Sequence, residues 1–282
     1  MHEIGMMQGR LTQPKGRGIQ FFPFDYWEQE FEDAKKAGLS EIEFIFDYER
    51  YVENPLWTKE GTNRLAYIQE STGVKVRAVC FDYFMRRPFF RWEKEERALI
   101  RKENTQIISN VLAGLQRIGA TLIEIPLVDD SSLKNDEEKE LFREWLLEII
   151  EDAPAEILFG LETDLCPQDF LPFILSFENE RVGANYDSGN SSGIGYNLYE
   201  EVTTLREHIF NIHIKDRVYQ GTTVKLGTGS ADFEKLFKGL HEIDYKGNFI
   251  LQAARADEGK ELDNIKEQMA FVQGYIQKVW NS

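Results

Sequence analysis

Eight short runs rich in β-branched and aromatic residues recur along the chain, and each is followed by a stretch with helical periodicity. The runs span 4–7, 42–46, 74–81, 122–127, 157–161, 182–186, 210–214 and 249–251. Between them, Ile108, Val111, Leu112 and Leu115 fall at i, i+3, i+4 and i+7, and Phe142, Trp145, Leu146 and Ile149 repeat that spacing. Ile265, Met269, Val272, Ile276 and Val279 do so again near the C-terminus. Apolar residues at these intervals share one face of a helix. Strands that alternate with helices build a parallel sheet, because consecutive parallel strands need a crossover between them. Two closures remain, an open doubly wound sheet and a barrel. Eight units without a long insertion favour an α/β fold, a single (β/α)8 TIM barrel that spans 1–282 as one domain. No G-x-G-x-x-G follows the first run, which argues against a dinucleotide-binding sheet. Gly38 and Gly119 sit where helices should end, as residues that tolerate a left-handed turn.

Composition narrows the class of function. Hydrophobic residues make up 42% of the 282 and aromatics 13%, enough for a large core. The formal charge of −16 argues against a nucleic-acid partner, since phosphate-backbone affinity rests on basic surfaces. The opening Met1-His2-Glu3-Ile4-Gly5 has no basic segment leading into an apolar one, so no signal peptide is expected. No run reaches the ~18–20 apolar residues of a membrane span. The two cysteines, Cys80 and Cys166, form no CxxC, which disfavours a disulfide framework or a thiolate zinc site. A cytoplasmic protein without membrane or nucleic-acid partners is expected.

A barrel gathers its chemistry at the C-terminal ends of its strands. Glu162, Asp187, His213 and Gln252 all lie where a strand gives way to a loop. Two carboxylates, an imidazole and an amide oxygen suit a divalent metal ion, with Mn²⁺ or Mg²⁺ favoured and Zn²⁺ compatible. Their separations are too long for a local metal loop and match one ligand per consecutive barrel unit. Separate polar residues at strand ends would give the same pattern. Lys215 follows His213 by two residues, so continued strand geometry points both into the barrel mouth. It could polarise a carbonyl, hold a phosphate, or pair with a neighbouring carboxylate. Arg10, beside Gly9, and Arg255, after the eighth run, are candidates to bind substrate through a phosphate or carboxylate. Gly227-Thr228-Gly229-Ser230 reads as a turn leading to a helix cap at Ser230 or Asp232, with a phosphate cradle as the other reading. The aromatic group Phe81, Tyr83, Phe84, Phe89, Phe90 and Trp92 fits an apolar wall over a sugar, a subunit contact, or packing between loops.

Several of these strings together resemble the xylose-isomerase-like TIM barrels. They are Ile4-Gly-Met-Met-Gln-Gly-Arg-Leu11, the strand end at Asp187, His213-Ile-Lys-Asp216, and Leu226-Gly-Thr-Gly229 with Asp232-Phe233. That superfamily includes sugar-phosphate isomerases and epimerases, inosose dehydratases and metal-dependent AP endonucleases. In its sugar epimerases a metal is held by Glu, Asp, His and Glu from strands five to eight. Glu162, Asp187 and His213 match the first three, while Gln252 departs from the fourth. An amide oxygen can ligate but cannot accept a proton near neutral pH. The resemblance therefore leaves one of the two glutamate bases without a counterpart. Asn190 stands where many relatives carry histidine, and could hydrogen-bond a sugar hydroxyl. The nuclease branch is disfavoured by the acidic balance and by only four histidines. The resemblance implies a metal-dependent isomerase or epimerase of a ketose or sugar phosphate, acting through an enediolate. Glu162 would then be ligand and proton shuttle, with Lys215 beside it as a catalytic group. Alternatives are an inosose-type dehydratase and a non-catalytic sugar-binding barrel. Pairing of two copies through loop surfaces is compatible with such a barrel.

Overall fold

Each β-rich run is apolar on both sides because its strand faces the barrel interior on one side and a helix layer on the other. The structure is a computed structural model that describes residues 2–280. Its barrel strands are Ile4–Met7, Glu41–Ile45, Ala78–Cys80, Leu122–Leu127, Leu158–Thr163, Val182–Asp187, Ile209–Ile214 and Phe249–Leu251. All neighbours pair in parallel, and the first strand closes the ring by pairing with both the second (Met6 with Ile42) and the eighth (Gly5 with Ile250). The expected barrel is therefore the observed one.

The third strand is shorter than its run of apolar residues suggests. The amide of Val76 donates to the Gln69 side chain (2.8 Å) and that of Val74 to the Thr72 hydroxyl (3.2 Å). With those donors held by the preceding helix, continuous pairing starts only at Ala78. Val74 and Val76 are buried all the same, which explains the strand-like pattern.

The helical periodicities map onto real faces. Ile108, Val111, Leu112 and Leu115 are buried on the helix Lys94–Ile118, and Phe142, Trp145, Leu146 and Ile149 on Asp136–Asp152. On Glu261–Trp280, Ile265, Met269 and Val272 are buried, with Ile276 and Val279 packed at the margin. Gly38 (φ 87°) and Gly119 (φ 74°) close their helices in the left-handed region. Among the described residues no helix is long and apolar enough to cross a membrane.

The aromatic loop after the third strand packs inward. Phe81, Tyr83, Phe84 and Phe89 are fully buried, and Phe84 stacks on Trp145 at 5.3 Å between ring centres. Of the three readings of this group, packing between elements is the one found.

Candidate metal centre and substrate cavity

Strands five, six and seven end side by side, and register brings their last polar residues together: Asp187 pairs directly with His213 across the sixth and seventh strands. Glu162, Asp187 and His213 each offer a ligand atom, and these atoms all lie within 4.8 Å of one another. His213 Nδ1 is 3.6 Å from Glu162 Oε2 and 4.0 Å from Asp187 Oδ2. The three residues are buried. Above them opens a cavity of about 900 Å³, whose wall includes Gln20, Asp82, Glu162, Asn190, Lys215 and Gln252.

Asp187 is fixed by its own helix. Its Oδ1 accepts from the backbone N–H groups of Gly189 and Asn190, both at 2.8 Å, capping Ser188–Ile194. That cap leaves Oδ2 for Lys215 Nζ at 3.1 Å and for the His213 side. Asn190 is held at both ends of its amide. Its Nδ2 donates to Glu162 Oε1, and its Oδ1 accepts from Lys215 Nζ (3.1 Å) and Arg217 Nη1 (3.2 Å). The side chain thus aims the Glu162 carboxylate.

Gln252 enters through a relay. Its Nε2 donates to Gln20 Oε1 (3.0 Å), and Gln20 Nε2 donates to Asp82 Oδ2 (2.8 Å). A carboxylate only accepts, so Asp82 sets the orientation of both amides. Gln252 Oε1 is left buried without a partner. An orphaned buried oxygen at the end of the strand that pairs with that of His213, in the wall of the cavity that Glu162 also lines, is what a fourth ligand to a divalent cation would present. The donor set fits such an ion.

Below this level lies a polar layer that the strand-end reading did not single out. Glu43 Oε2 is 3.1 Å from His213 Nε2 and accepts from Asn211 Nδ2 at 2.7 Å, and Glu124 Oε2 lies 3.8 Å from the same His213 nitrogen. Burial disfavours the charged imidazole, but Glu43 and Glu162 outweigh it and push His213 up to about 10. Burial likewise opposes ionisation of Glu162, yet the neighbouring His213 and Glu124 hold it down at about 2. Glu124 bears the cost: burial and the neighbouring Glu162 and Glu43 push it well above the carboxylate range. His213 could hold a cation through Nδ1, which would take the place of the imidazolium proton, with Glu43 accepting from Nε2–H. That carboxylate contact fixes the tautomer of a ligating histidine. The sequence signal was present, a Glu flanked by apolar residues inside a strand at Ile42-Glu43-Phe44 and Ile123-Glu124-Ile125.

Arg10 and Arg255 lie beside the cavity, and their guanidinium groups turn to the loop ahead of Gln20. Arg10 Nη1 (2.7 Å) and Arg255 Nε (2.8 Å) both donate to the carbonyl of Ile19, and Arg255 Nη1 also donates to Gly9 and Thr12 carbonyls. They pin the loop that carries Gln20. The glycine-rich loop is a turn, with Asp232 as the cap of Phe233–Glu242. Its amides at Gly227, Gly229 and Ala231 donate to the Asp216 carboxylate, so none is left for a phosphate.

A family model described as xylose isomerase-like TIM barrel matches residues 31–275. A protein of Haemophilus influenzae, provisionally named an L-ribulose-5-phosphate 3-epimerase, is 25% identical over 243 residues, covering 80% of this chain and 83% of its own. The solved structure of an L-ribulose 3-epimerase superposes with a TM-score of 0.77 at 16% identity, over 100% of this chain and 96% of that one. The IolI protein with a bound zinc atom gives 0.73 at 16% identity, over 98% and 99%.

Proposed function

The chain belongs to the xylose isomerase-like TIM barrels, and on that premise we propose that it is a divalent-cation-dependent epimerase or isomerase of a ketose or ketose phosphate. The observation that carries this reading is the cluster of Glu162, Asp187 and His213, with Glu162 and the unpartnered Gln252 both lining one sugar-sized cavity. Those four residues would hold the ion, Mn²⁺ or Mg²⁺ by donor type, with Zn²⁺ compatible. A divalent ion there would supply Lewis-acid polarisation of a carbonyl and the adjacent hydroxyl, which would acidify the C–H between them. The names of the epimerase relative and neighbour, and the zinc in IolI, support the same chemistry.

The side chains divide the work. Glu162 takes the proton from carbon, with its carboxylate aimed by Asn190. Lys215, held between Asp187 and Asn190, presents a positive charge to the oxygen on which enediolate charge develops. Arg10 and Arg255 act at one remove, by holding the loop before Gln20.

Solvent-deuterium exchange tests this directly. Protein loaded with Mn²⁺ should incorporate deuterium at carbon into L-ribulose, L-ribulose 5-phosphate or a related ketose, and metal-stripped protein should not. Glu162→Gln should bind the ion yet exchange at least about 100-fold more slowly. Undiminished exchange in that variant would sink the assignment of Glu162. Product lighter by one water would replace isomerisation with dehydration, and a metal-loaded protein inert toward every ketose would leave a binding barrel.

A further inference from the structure

Gln252 stands where the resemblance places a second glutamate, so Glu162 lacks that counterpart, and an inversion at carbon needs a proton carrier on each face. We propose that Asp82, at the end of the third strand, is the second proton-transfer residue, coupled to the Gln252 position through Gln20. This rests on the epimerase reading given above.

Three observations place Asp82 there. It lines the same cavity as Glu162, from a different strand end. It is joined to Gln252 by the two hydrogen bonds of the Gln20 relay, so its carboxyl stands one glutamine side chain away from the position where relatives place glutamate. It is half-buried, open to the cavity and otherwise enclosed. Among the described residues no ion pair ties it down, and its remaining partner is the Cys80 thiol, which donates to Oδ1 at 3.2 Å. The charged groups that face it are Asp47, Glu162 and Arg10. Burial, with Asp47 and Glu162 adding to it against the Gln20 and Cys80 hydrogen bonds, lifts Asp82 to about 6. A carboxyl at that level can both give and take a proton near neutrality.

The step balances without a further reactant. Glu162 removes the proton from one face of the carbon, and the C–H electron pair passes into the enediolate. Asp82 in its acid form gives its proton to the opposite face; the enediolate pair forms the new C–H bond as the carbonyl returns. Glu162 ends protonated and Asp82 ionised, and exchange with water in the cavity restores both. The reverse epimerisation uses the same two groups with their roles exchanged.

The test separates inversion from exchange. In Asp82→Asn, Glu162 still removes and returns a hydron on its own face. Epimer formation should therefore fall at least about 100-fold, while deuterium still enters the starting ketose with its configuration retained. The pair Asp82→Asn with Gln252→Glu moves the carboxyl to the other end of the relay. The amide introduced at position 82 can then donate to Gln20 Oε1, and Gln20 Nε2 to the new carboxylate, so inversion should recover at least about tenfold over the single variant. Asp82→Glu, melting like the parent, should retain inversion and controls for a folding defect. Inversion within about threefold of the parent in Asp82→Asn overturns the role of Asp82 alone. So does loss of exchange and inversion together in a folded Asp82→Asn. Absence of any exchange in the parent protein overturns the epimerase reading itself, and Asp82 falls with it.

Discussion

Glu201 shows what an enclosed carboxyl costs in this fold when no cation is near. It is 5% exposed, and its oxygens accept from the hydroxyls of Tyr186 (2.9 Å) and Ser191 (3.1 Å). Burial outweighs these bonds and lifts it to about 7. The folded state therefore holds its proton more tightly than the unfolded chain does. The resulting stabilisation is full below the unfolded value near 4.5 and is lost as pH rises through about 7. Glu201→Gln, which keeps an acceptor for Tyr186, should unfold at higher urea than the parent at pH 8, by up to about 3 kcal/mol at ~1.4 kcal/mol per unit. At pH 4, below the unfolded value, that advantage should shrink to near zero; a gap that stays constant between the two pH values refutes the assignment. Other single residues differ in how far the chain betrays them. Glu162, Asp187 and His213 could be found because a barrel rule says where to look, one strand end at a time. Asp82 was visible at a strand end too, but its meaning depends on Gln20, 62 residues away in sequence. The carbonyl partners of Arg10 and Arg255 were hidden for the same reason: a guanidinium in a loop shows its charge in sequence and not what it bonds.

The segment that follows the seventh strand illustrates how a loop is built around one carboxylate. Asp216 is fully buried and begins the small antiparallel hairpin of Asp216–Arg217 with Thr223–Val224. Its Oδ2 accepts from Gly227 and Gly229 at 2.9 and 2.8 Å, and Oδ1 accepts from Ala231 at 3.0 Å. Asp216→Asn puts an NH₂ group against at least one of these backbone donors. Losing one charge-assisted bond and leaving an N–H unsatisfied should destabilise the fold by about 2–3 kcal/mol. Hydrogen exchange at the amides of 227, 229 and 231 should accelerate together, and full protection in the variant would contradict the geometry. A glycine-rich string advertises free amides; it cannot show that the chain has already supplied their anion. The 74–81 run is a similar case, because its alternation reports burial truthfully while Gln69 and Thr72 take the amides that a longer strand would need. Where elements matched expectation, as for Leu122–Leu127 and Phe249–Leu251, every residue of the strand is buried.

Closure of the barrel was readable from the count of units, since an eight-fold βα repeat without a split leaves few other ways to bury every strand. The cavity was not readable as a whole, because its wall is assembled from loops at opposite sides of the ring. That assembly ties the molecule together through its centre. Glu162, Asp187, His213 and Gln252 come from the ends of four consecutive strands, so an ion held by them would brace half the barrel. Binding to the folded state alone raises stability as RT ln(1 + [L]/Kd), about 2.7 kcal/mol at a free concentration 100-fold above Kd. Removal of metal by a chelator should lower the melting temperature, and added Mn²⁺ should restore it. The same equilibrium should carry protons. Without a cation, Glu43 and Glu162 hold His213 up at about 10, so Nδ1 must lose its proton before it can ligate. Mn²⁺ uptake near neutral pH should release about one proton, with affinity rising roughly tenfold per pH unit. Calorimetric titration in buffers of different ionisation enthalpy reads that number directly. Glu43→Gln removes the carboxylate that raises His213 and should flatten the pH slope while leaving all four ligands in place. Parent and variant with the same slope, or heats independent of buffer, would show that the imidazole is neutral before the ion arrives.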